Sequence, residues 1–135
     1  MIKMKVIKNQ RLDLGYNTQV RDLVLDEIMN TMELIKKQVE EHSIILYMKG
    51  SPNQPQCGFS ARTVQALMEC GQKFAFVNVL ENQEIRQDLP KFGHWPTFPQ
   101  LWVNGELVGG CDIVTEMHSE GELKPLIDEA IQTHS

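Results

Sequence analysis

The sequence predicts an α/β fold in which a four-stranded mixed sheet carries helices on both faces. Short apolar runs alternate with longer amphipathic segments, in the order helix, strand, helix, strand, helix, hairpin, helix, helix. The strand–helix–strand unit requires a right-handed crossover between two parallel strands. Asn104-Gly105 lies between two apolar runs, which is the strongest short signal of a β-hairpin and adds two antiparallel strands. A chain of 135 residues is long enough for one such domain.

A capping signal and an apolar run predict the first helix and the first strand. Asn30 has Glu33 three residues after it, which predicts the start of a helix that runs to about Glu41. Residues 43–48 are almost entirely apolar, as in a strand that is buried on both faces.

A turn-rich loop over residues 49–56 separates this strand from the second helix. That helix begins at Cys57 and is closed by Gly71, because glycine readily adopts the left-handed conformation that follows many helices. Residues 74–80 are predicted as the second strand.

Asn82 is predicted to cap the third helix, which Pro90 should kink or shorten. Residues 100–103 and 106–109 form the two strands of the hairpin.

Two helices complete the predicted fold. Asp112 is expected to cap the first of them, which ends at Gly121. The last helix begins near Leu123 and has Pro125 in its first turn, where a missing N–H costs little.

Composition and charge exclude several classes of function. The formal net charge is −5, whereas a surface that binds nucleic acid must be basic. No apolar run has the length of a signal-peptide core or a membrane-spanning helix. The three cysteines are an odd number, which indicates a reducing compartment. The sequence therefore predicts a cytoplasmic protein that binds neither nucleic acid nor membrane.

Cys57-Gly58-Phe59-Ser60 has the form of a C-x-x-C redox loop whose second cysteine is serine. A dithiol loop resolves its own mixed disulfide with the second thiol, and Ser60 cannot perform that step. The free N–H groups and the dipole at a helix start favour the thiolate form of Cys57. Such a thiolate can attack a glutathione disulfide or bind a soft metal, and the residues of this loop leave both open.

Four short motifs follow one another along the domain. They are residues 47–50 (Tyr-Met-Lys-Gly), 57–60, 95–100 (Trp-Pro-Thr-Phe-Pro-Gln) and 109–112 (Gly-Gly-Cys-Asp). Together they resemble the monothiol glutaredoxins of the CGFS type, in their short single-domain bacterial form. The resemblance implies a thioredoxin-like fold, which agrees with the predicted sheet, and a site for glutathione.

The resemblance begins near Met32, so residues 32–135 are predicted as the glutaredoxin domain. Residues 1–31 are predicted as an N-terminal extension that is partly helical or disordered. Residues 1–16 have no clean periodicity and are expected to be mobile. A helical spacing relates Val20, Leu23, Val24 and Ile28. This spacing predicts either a separate helix or a longer first helix.

The resemblance also implies a [2Fe–2S] cluster held between two protomers of a homodimer. Each protomer contributes one thiolate, here that of Cys57, and each of two glutathiones contributes another. The sequence is consistent with this count, because the cluster needs four ligands and the chain has no C-x-x-C pair. The implied role is cluster carriage in biogenesis and iron homeostasis, with apo iron–sulfur acceptor proteins and a BolA-type protein as partners.

By the same resemblance, seven further residues belong to the glutathione site. They are Lys49, Arg86, Thr97, Phe98, Gly110, Cys111 and Asp112. Lys49 is matched to the glycine carboxylate of glutathione, and Cys111 and Asp112 to its γ-glutamyl end. Phe98 is matched to the cysteinyl unit, and it precedes a proline that is cis in this fold.

Several residues of the predicted site, and two residues near it in the sequence, also have a purely structural interpretation. Lys49 and Arg86 could be solvated surface cations, and Asp112 could serve only as a helix cap. Cys70 is interpreted as a packing residue. Trp95 could belong to the core or to the rim of the cluster site.

Three functions are compatible with these residues. The first is the cluster carrier, and the second is a glutathione-dependent oxidoreductase acting on glutathione mixed disulfides. In the second, Cys57 takes glutathione from the mixed disulfide and a further glutathione releases it. The third is a thioredoxin-fold binding module without a cluster. The long loop over residues 51–55 favours the first, because the resemblance implies that such a loop disturbs the glutathione pose needed for fast exchange.

Overall fold

The structure, a computed structural model, describes the backbone of residues 20–134 and the side chains of residues 30–133. The helices are α1 (Val20–Glu41), α2 (Gly58–Glu69), α3 (Gln83–Gly93), α4 (Cys111–Ser119) and α5 (Leu123–His134). The strands are β1 (Ile44–Met48), β2 (Gly50–Ser51), β3 (Gln54–Pro55), β4 (Ala75–Asn78), β5 (Gln100–Val103) and β6 (Glu106–Gly109).

Four of the strands form one mixed sheet in the order β4-β1-β5-β6. Strand β1 is parallel to β4, with Ile45 opposite Ala75, and antiparallel to β5, with Ile45 opposite Trp102. Strands β5 and β6 form the predicted hairpin, and Asn104 and Gly105 both have the positive φ that its turn requires. The predicted thioredoxin-like sheet is therefore confirmed.

The sheet separates two apolar clusters, one on each face. The cluster on one face joins β1 to α1 and α3 through Ile35, Val39, Ile45, Tyr47, Val77, Ile85, Leu89 and Trp102. The cluster on the other face joins β1 to α2, α4 and α5 through Leu46, Met48, Val64, Leu67, Leu101, Val114, Leu123 and Ile127. Successive residues of β1 point to opposite faces, so both faces bury apolar side chains. This explains why the strand is apolar throughout.

Two predicted caps are wrong. Helix α1 begins at Val20, so Asn30 lies within it. The apolar spacing upstream of Asn30 continues into α1, and an unbroken helix pairs the N–H groups that a cap would otherwise satisfy. Helix α4 begins at Cys111 with Gly110 as its N-cap, and Asp112 lies in the first turn without a side-chain capping bond. Extended backbone at Gly110 thus starts the helix without a capping side chain.

Other local predictions had mixed outcomes. Asn82 is the N-cap residue of α3, although its side chain makes no capping bond. Helix α3 continues past Pro90 to Gly93, because the proline stands in the last turn. The loop over residues 49–56 contains a ribbon, β2 paired with β3, that was not predicted.

The extension predicted over residues 1–31 is described only in part. Its last twelve residues lie in α1, as the alternative of a longer first helix proposed. The predicted mobility of residues 1–16 concerns residues outside the described range. The domain boundary at residue 31 stays a prediction.

Candidate functional site

Cys57 occupies the N-cap position of α2, as its place in the sequence predicts. Its backbone is extended, with φ −151° and ψ 154°, and its Sγ accepts a hydrogen bond of 3.3 Å from the backbone N–H of Ser60. The side chain is half-buried. A sulfur in this position receives the N–H groups that the helix leaves unpaired, so the helix start stabilises a thiolate.

Ser60 connects the sulfur to the end of β1. Its side chain is fully buried, and its Oγ lies 3.3 Å from Cys57 Sγ. The same Oγ accepts a hydrogen bond of 3.1 Å from the backbone N–H of Lys49. A thiolate is an acceptor only, so the Ser60 hydroxyl donates its proton to that form of Cys57.

The pKa of Cys57 lies below the ordinary value for a thiol. Partial burial raises it, but hydrogen bonds from the Ser60 hydroxyl and from the backbone N–H groups of Ser60 and Phe59 lower it, as does the charge of Lys49. The lowering effects together outweigh the burial. The lowered pKa favours the thiolate, which is the form that acts as a nucleophile and binds a soft metal.

A pocket of about 730 Å³ opens beside this helix start. Its lining residues are Lys49, Phe59, Arg86, Pro90, Trp95, Pro96, Thr97, Phe98, Pro99, Gly110, Cys111, Asp112 and Ile113. All seven residues that the resemblance assigned to glutathione are among them. Cys57 itself is not, and the pocket reaches its helix through Phe59, in the first turn of α2.

The pocket carries charges of both signs. Lys49 follows β1 and Arg86 lies in α3, and both are half-buried. Asp112 is exposed in the first turn of α4, where backbone N–H groups are unpaired. The arrangement suits an extended ligand that has carboxylates as well as an ammonium group.

Gly110 brings backbone close to the opposite wall of the pocket. A Cβ added there would stand 3.1 Å from the Pro99 carbonyl oxygen and 3.4 Å from Trp95 Nε1. A side chain would therefore push against the wall formed by residues 95–99. The glycine keeps the backbone at the start of α4 open to a ligand.

Gln100 holds that wall in place, a role that the sequence did not predict. Its fully buried side chain donates from Nε2 to the carbonyl oxygens of Trp95, at 2.9 Å, and Thr97, at 3.2 Å. Its Oε1 accepts a bond of 3.1 Å from Trp102 Nε1. The Phe98-Pro99 bond between these points is cis, as the resemblance implied. The sequence signal was a polar amide, Gln100, directly after the Pro-x-x-Pro loop and at the start of an otherwise apolar predicted strand.

The other two cysteines are buried. Cys70 packs at the end of α2, and burial raises its pKa, as expected for the predicted packing residue. Cys111 lines the pocket from the first position of α4. All three cysteines are free thiols. Over the part of the chain that the structure describes, no group of three or more His, Cys, Asp and Glu side chains could hold a metal ion.

Comparison with known proteins agrees with this geometry. The family model for Glutaredoxin matches residues 44–108. Glutaredoxin 4 of Escherichia coli (strain K12) is 63% identical over 99 residues, which are 73% of this chain and 86% of that protein. The chain belongs to the glutaredoxin family. Its single thiol in the Cys-Gly-Phe-Ser loop makes it a monothiol glutaredoxin, and the relatives that it matches over most of their length are of the short bacterial form. Glutaredoxin 4 of Haemophilus ducreyi is 56% identical over 106 residues, 78% of this glutaredoxin and 99% of the relative.

Solved structures show the same fold. The solution structure of reduced poplar apo GrxS14 is 44% identical and has a TM-score of 0.66, covering 75% of this glutaredoxin and 93% of that chain. The holo form of glutaredoxin C1 from Populus tremula x tremuloides is 25% identical, with a TM-score of 0.71 over 80% and 96% of the two chains. No helix within residues 20–134 of this glutaredoxin is long and apolar enough to cross a membrane.

Proposed function

We propose that this glutaredoxin binds glutathione in the pocket and carries a [2Fe–2S] cluster between two protomers. The observation that carries the proposal is a single prepared thiolate, Cys57, beside a pocket suited to a peptide with carboxylates at both ends. The cluster is cargo, acquired from one protein and passed to another.

Glutathione fits the charges and the backbone of the pocket. Its glycine carboxylate would lie at Lys49 and Arg86, and its γ-glutamyl group at Asp112 and the first turn of α4. Its cysteinyl unit would pair with the backbone of Phe98, in the manner of an added strand. Family membership supports this assignment, because glutaredoxins bind glutathione.

The number of available thiolates supports a shared cluster. A [2Fe–2S] cluster needs four ligands. Cys70 and Cys111 are buried, so Cys57 is the cysteine best placed to bind iron. Two protomers then supply two sulfurs, and two bound glutathiones supply the other two. Ligands shared in this way hold the cluster at the surface of each protomer, which suits transfer to an acceptor.

The partners follow from this role. Apo iron–sulfur proteins would receive the cluster, and a BolA-type protein would replace one protomer and supply a ligand. We place this function in cluster biogenesis and iron homeostasis. The cytoplasm is the proposed location, because three unpaired cysteines are typical of proteins from a reducing compartment.

The lowered pKa of Cys57 also favours a second function, the oxidoreductase. The thiolate would attack the glutathione sulfur of a mixed disulfide, form a Cys57–glutathione disulfide and release the other thiol. A second glutathione thiolate would then attack that disulfide, releasing glutathione disulfide and restoring the Cys57 thiolate. One half of the glutathione disulfide comes from the mixed disulfide and the other from free glutathione, so one free glutathione thiol is oxidised for each thiol released. We expect this activity to be weak.

Anaerobic reconstitution with iron, sulfide and glutathione tests the main proposal. The native chain should gain visible absorption and the mass of a dimer with one cluster. Replacement of Cys57 by serine should abolish the absorption, whereas Cys111→Ser, the matched control for a pocket cysteine, should retain it. Equal loss in both variants, or a cluster formed without glutathione, would contradict the proposal.

A further inference from the structure

Asn78 is hydrogen-bonded to the segments that carry the two cations of the pocket, although it does not line the pocket itself. It is the last residue of β4 and stands opposite Met48 of β1 in the parallel register. We propose that Asn78 is a positioning residue for glutathione binding, which sets the places of Lys49 and Arg86 through two separate hydrogen bonds. The inference deepens the proposed function and rests on it.

The first connection runs through the side chain of Asn78 to the residue after Lys49. Asn78 Oδ1 accepts hydrogen bonds of 2.9 Å from the Gly50 N–H and 3.0 Å from the Leu80 N–H. The last backbone bond between the two strands joins Val79 N to Met48 O at 2.9 Å. Beyond this bond, the Gly50 N–H donates to the side-chain oxygen of Asn78 instead of to a backbone carbonyl of the neighbouring strand.

The backbone of Gly50 has little freedom to move, so its N–H group cannot turn to another acceptor if Asn78 Oδ1 is removed. Gly50 is buried, its φ is +94°, and a Cβ added there would stand 2.5 Å from the Gln54 carbonyl oxygen. The neighbouring Lys49 is held through its N–H by Ser60 Oγ, at 3.1 Å, and through its carbonyl by Gln56 N, at 2.8 Å. Loss of the Asn78 side-chain oxygen would leave the Gly50 N–H unpaired and would remove one of the three hydrogen bonds that restrain the backbone around Lys49.

The second connection runs through the backbone of Asn78 to the helix that carries Arg86. Its carbonyl oxygen accepts a bond of 2.9 Å from Asn82 Nδ2. Asn82 is the N-cap of α3, and its own carbonyl accepts a bond of 3.0 Å from the Arg86 N–H. Asn78 therefore fixes the start of α3 relative to the end of β1, and with it the two cations that a carboxylate would meet.

Calorimetric titration of the native chain and of Asn78→Ala with glutathione tests the role. We expect Asn78→Ala to weaken binding about tenfold, because the ligand must then order the segment that carries Lys49; the backbone carbonyl that holds Asn82 is unchanged in this variant. Asn78→Asp keeps an oxygen acceptor and should restore most of the affinity. Gln72→Ala removes a side-chain amide from an exposed bond to Asp128 and is the matched control, with unchanged affinity.

A blocked ligand separates positioning from general damage. In glutathione ethyl ester the glycine carboxylate is masked, so the affinity of the ester should differ little between the native chain and Asn78→Ala. An equal loss for both ligands would overturn the inference, because the substitution would then act on the whole pocket. Native affinity for glutathione in Asn78→Ala would also overturn it.

A measurement on the native chain does not depend on how the variants fold. Hydrogen exchange at the Gly50 amide should be slow, as for a paired buried N–H. Fast exchange at Gly50 would overturn the inference and leave the proposed function standing. Failure of the native chain to bind glutathione would overturn the proposed function itself.

Discussion

Replacement of Ser60 by alanine should make Cys57 a poorer nucleophile in acid. In the native chain the Ser60 hydroxyl lies 3.3 Å from Cys57 Sγ and helps to lower the pKa of that thiol. The alanine removes this donor but keeps the backbone N–H that also bonds to the sulfur. The pKa of Cys57 should therefore rise in the variant, and the thiolate should persist only at higher pH.

The size of the effect follows from one hydrogen bond to a charged group. Such a bond contributes about 1.5–3 kcal/mol, and about 1.4 kcal/mol corresponds to a factor of ten. Cys57 is only half-buried, so we take the lower end. At a pH below the pKa, the thiolate population of Ser60→Ala should be about tenfold smaller than that of the native chain.

Alkylation by iodoacetamide, followed by mass spectrometry across the acid-to-neutral range, measures this population at Cys57. The reaction rate should fall about tenfold in acid, and its inflection should move to higher pH. Thr63→Val is the matched control, because it removes a fully buried hydroxyl from the same helix that bonds only to the Phe59 carbonyl. Coincident pH profiles for the native chain and Ser60→Ala would refute the reasoning, as would an equal displacement in Thr63→Val.

Three further predictions concern redox chemistry, assembly and stability. Ser60→Cys should restore some dithiol character, because a second sulfur would lie beside Cys57, and should speed reduction of a glutathionylated peptide; an unchanged rate with both thiols titratable would count against this. Dimerisation should depend on the cluster, since ligands shared between protomers favour the dimer by mass action, so sedimentation should show monomer after chelation; a dimer that survives chelation would exclude the linkage. Burial raises the pKa of Asp88 in α3. Its carboxyl group therefore stabilises the folded state at pH values below its pKa in the unfolded chain, and this contribution is lost as the pH rises through its pKa in the folded chain. Asp88→Asn should therefore raise the melting temperature at neutral pH by an amount that shrinks toward about pH 4, and a difference independent of pH would contradict this.

Much of the fold could be predicted because its signals are local. The apolar run of β1, the Asn104-Gly105 turn and the start of α5 at Leu123 each depend on a few neighbouring residues. The predicted caps at Asn30 and Asp112 failed for the opposite reason. A helix can begin at a predicted capping residue, continue past it, or begin at an adjacent residue. Packing of the whole helix selects among these outcomes.

The candidate site could be predicted in its residues but not in its connections. The motifs contain Cys57 and six of the seven residues predicted for glutathione, because a lone thiol at a helix start and four motifs in order are visible along the chain. Arg86 lies outside the motifs and was predicted only by the family resemblance. The supports, Gln100 and Asn78, were not predicted. An amide side chain reveals its partners only when the carbonyl and N–H groups of distant segments surround it.

By itself, the sequence determined which chemistry is available: one reactive thiol without a resolving partner, on an α/β scaffold. This followed from residue identity and from short-range spacing, neither of which depends on tertiary contacts. Only the tertiary structure decided that the Ser60 hydroxyl connects that thiol to the backbone N–H of Lys49, at the end of another element. It also decided that Lys49, which follows β1, Arg86 of α3 and the first residues of α4 line one pocket. These relations join residues far apart in the chain, and they exist only once the two faces of the sheet are packed.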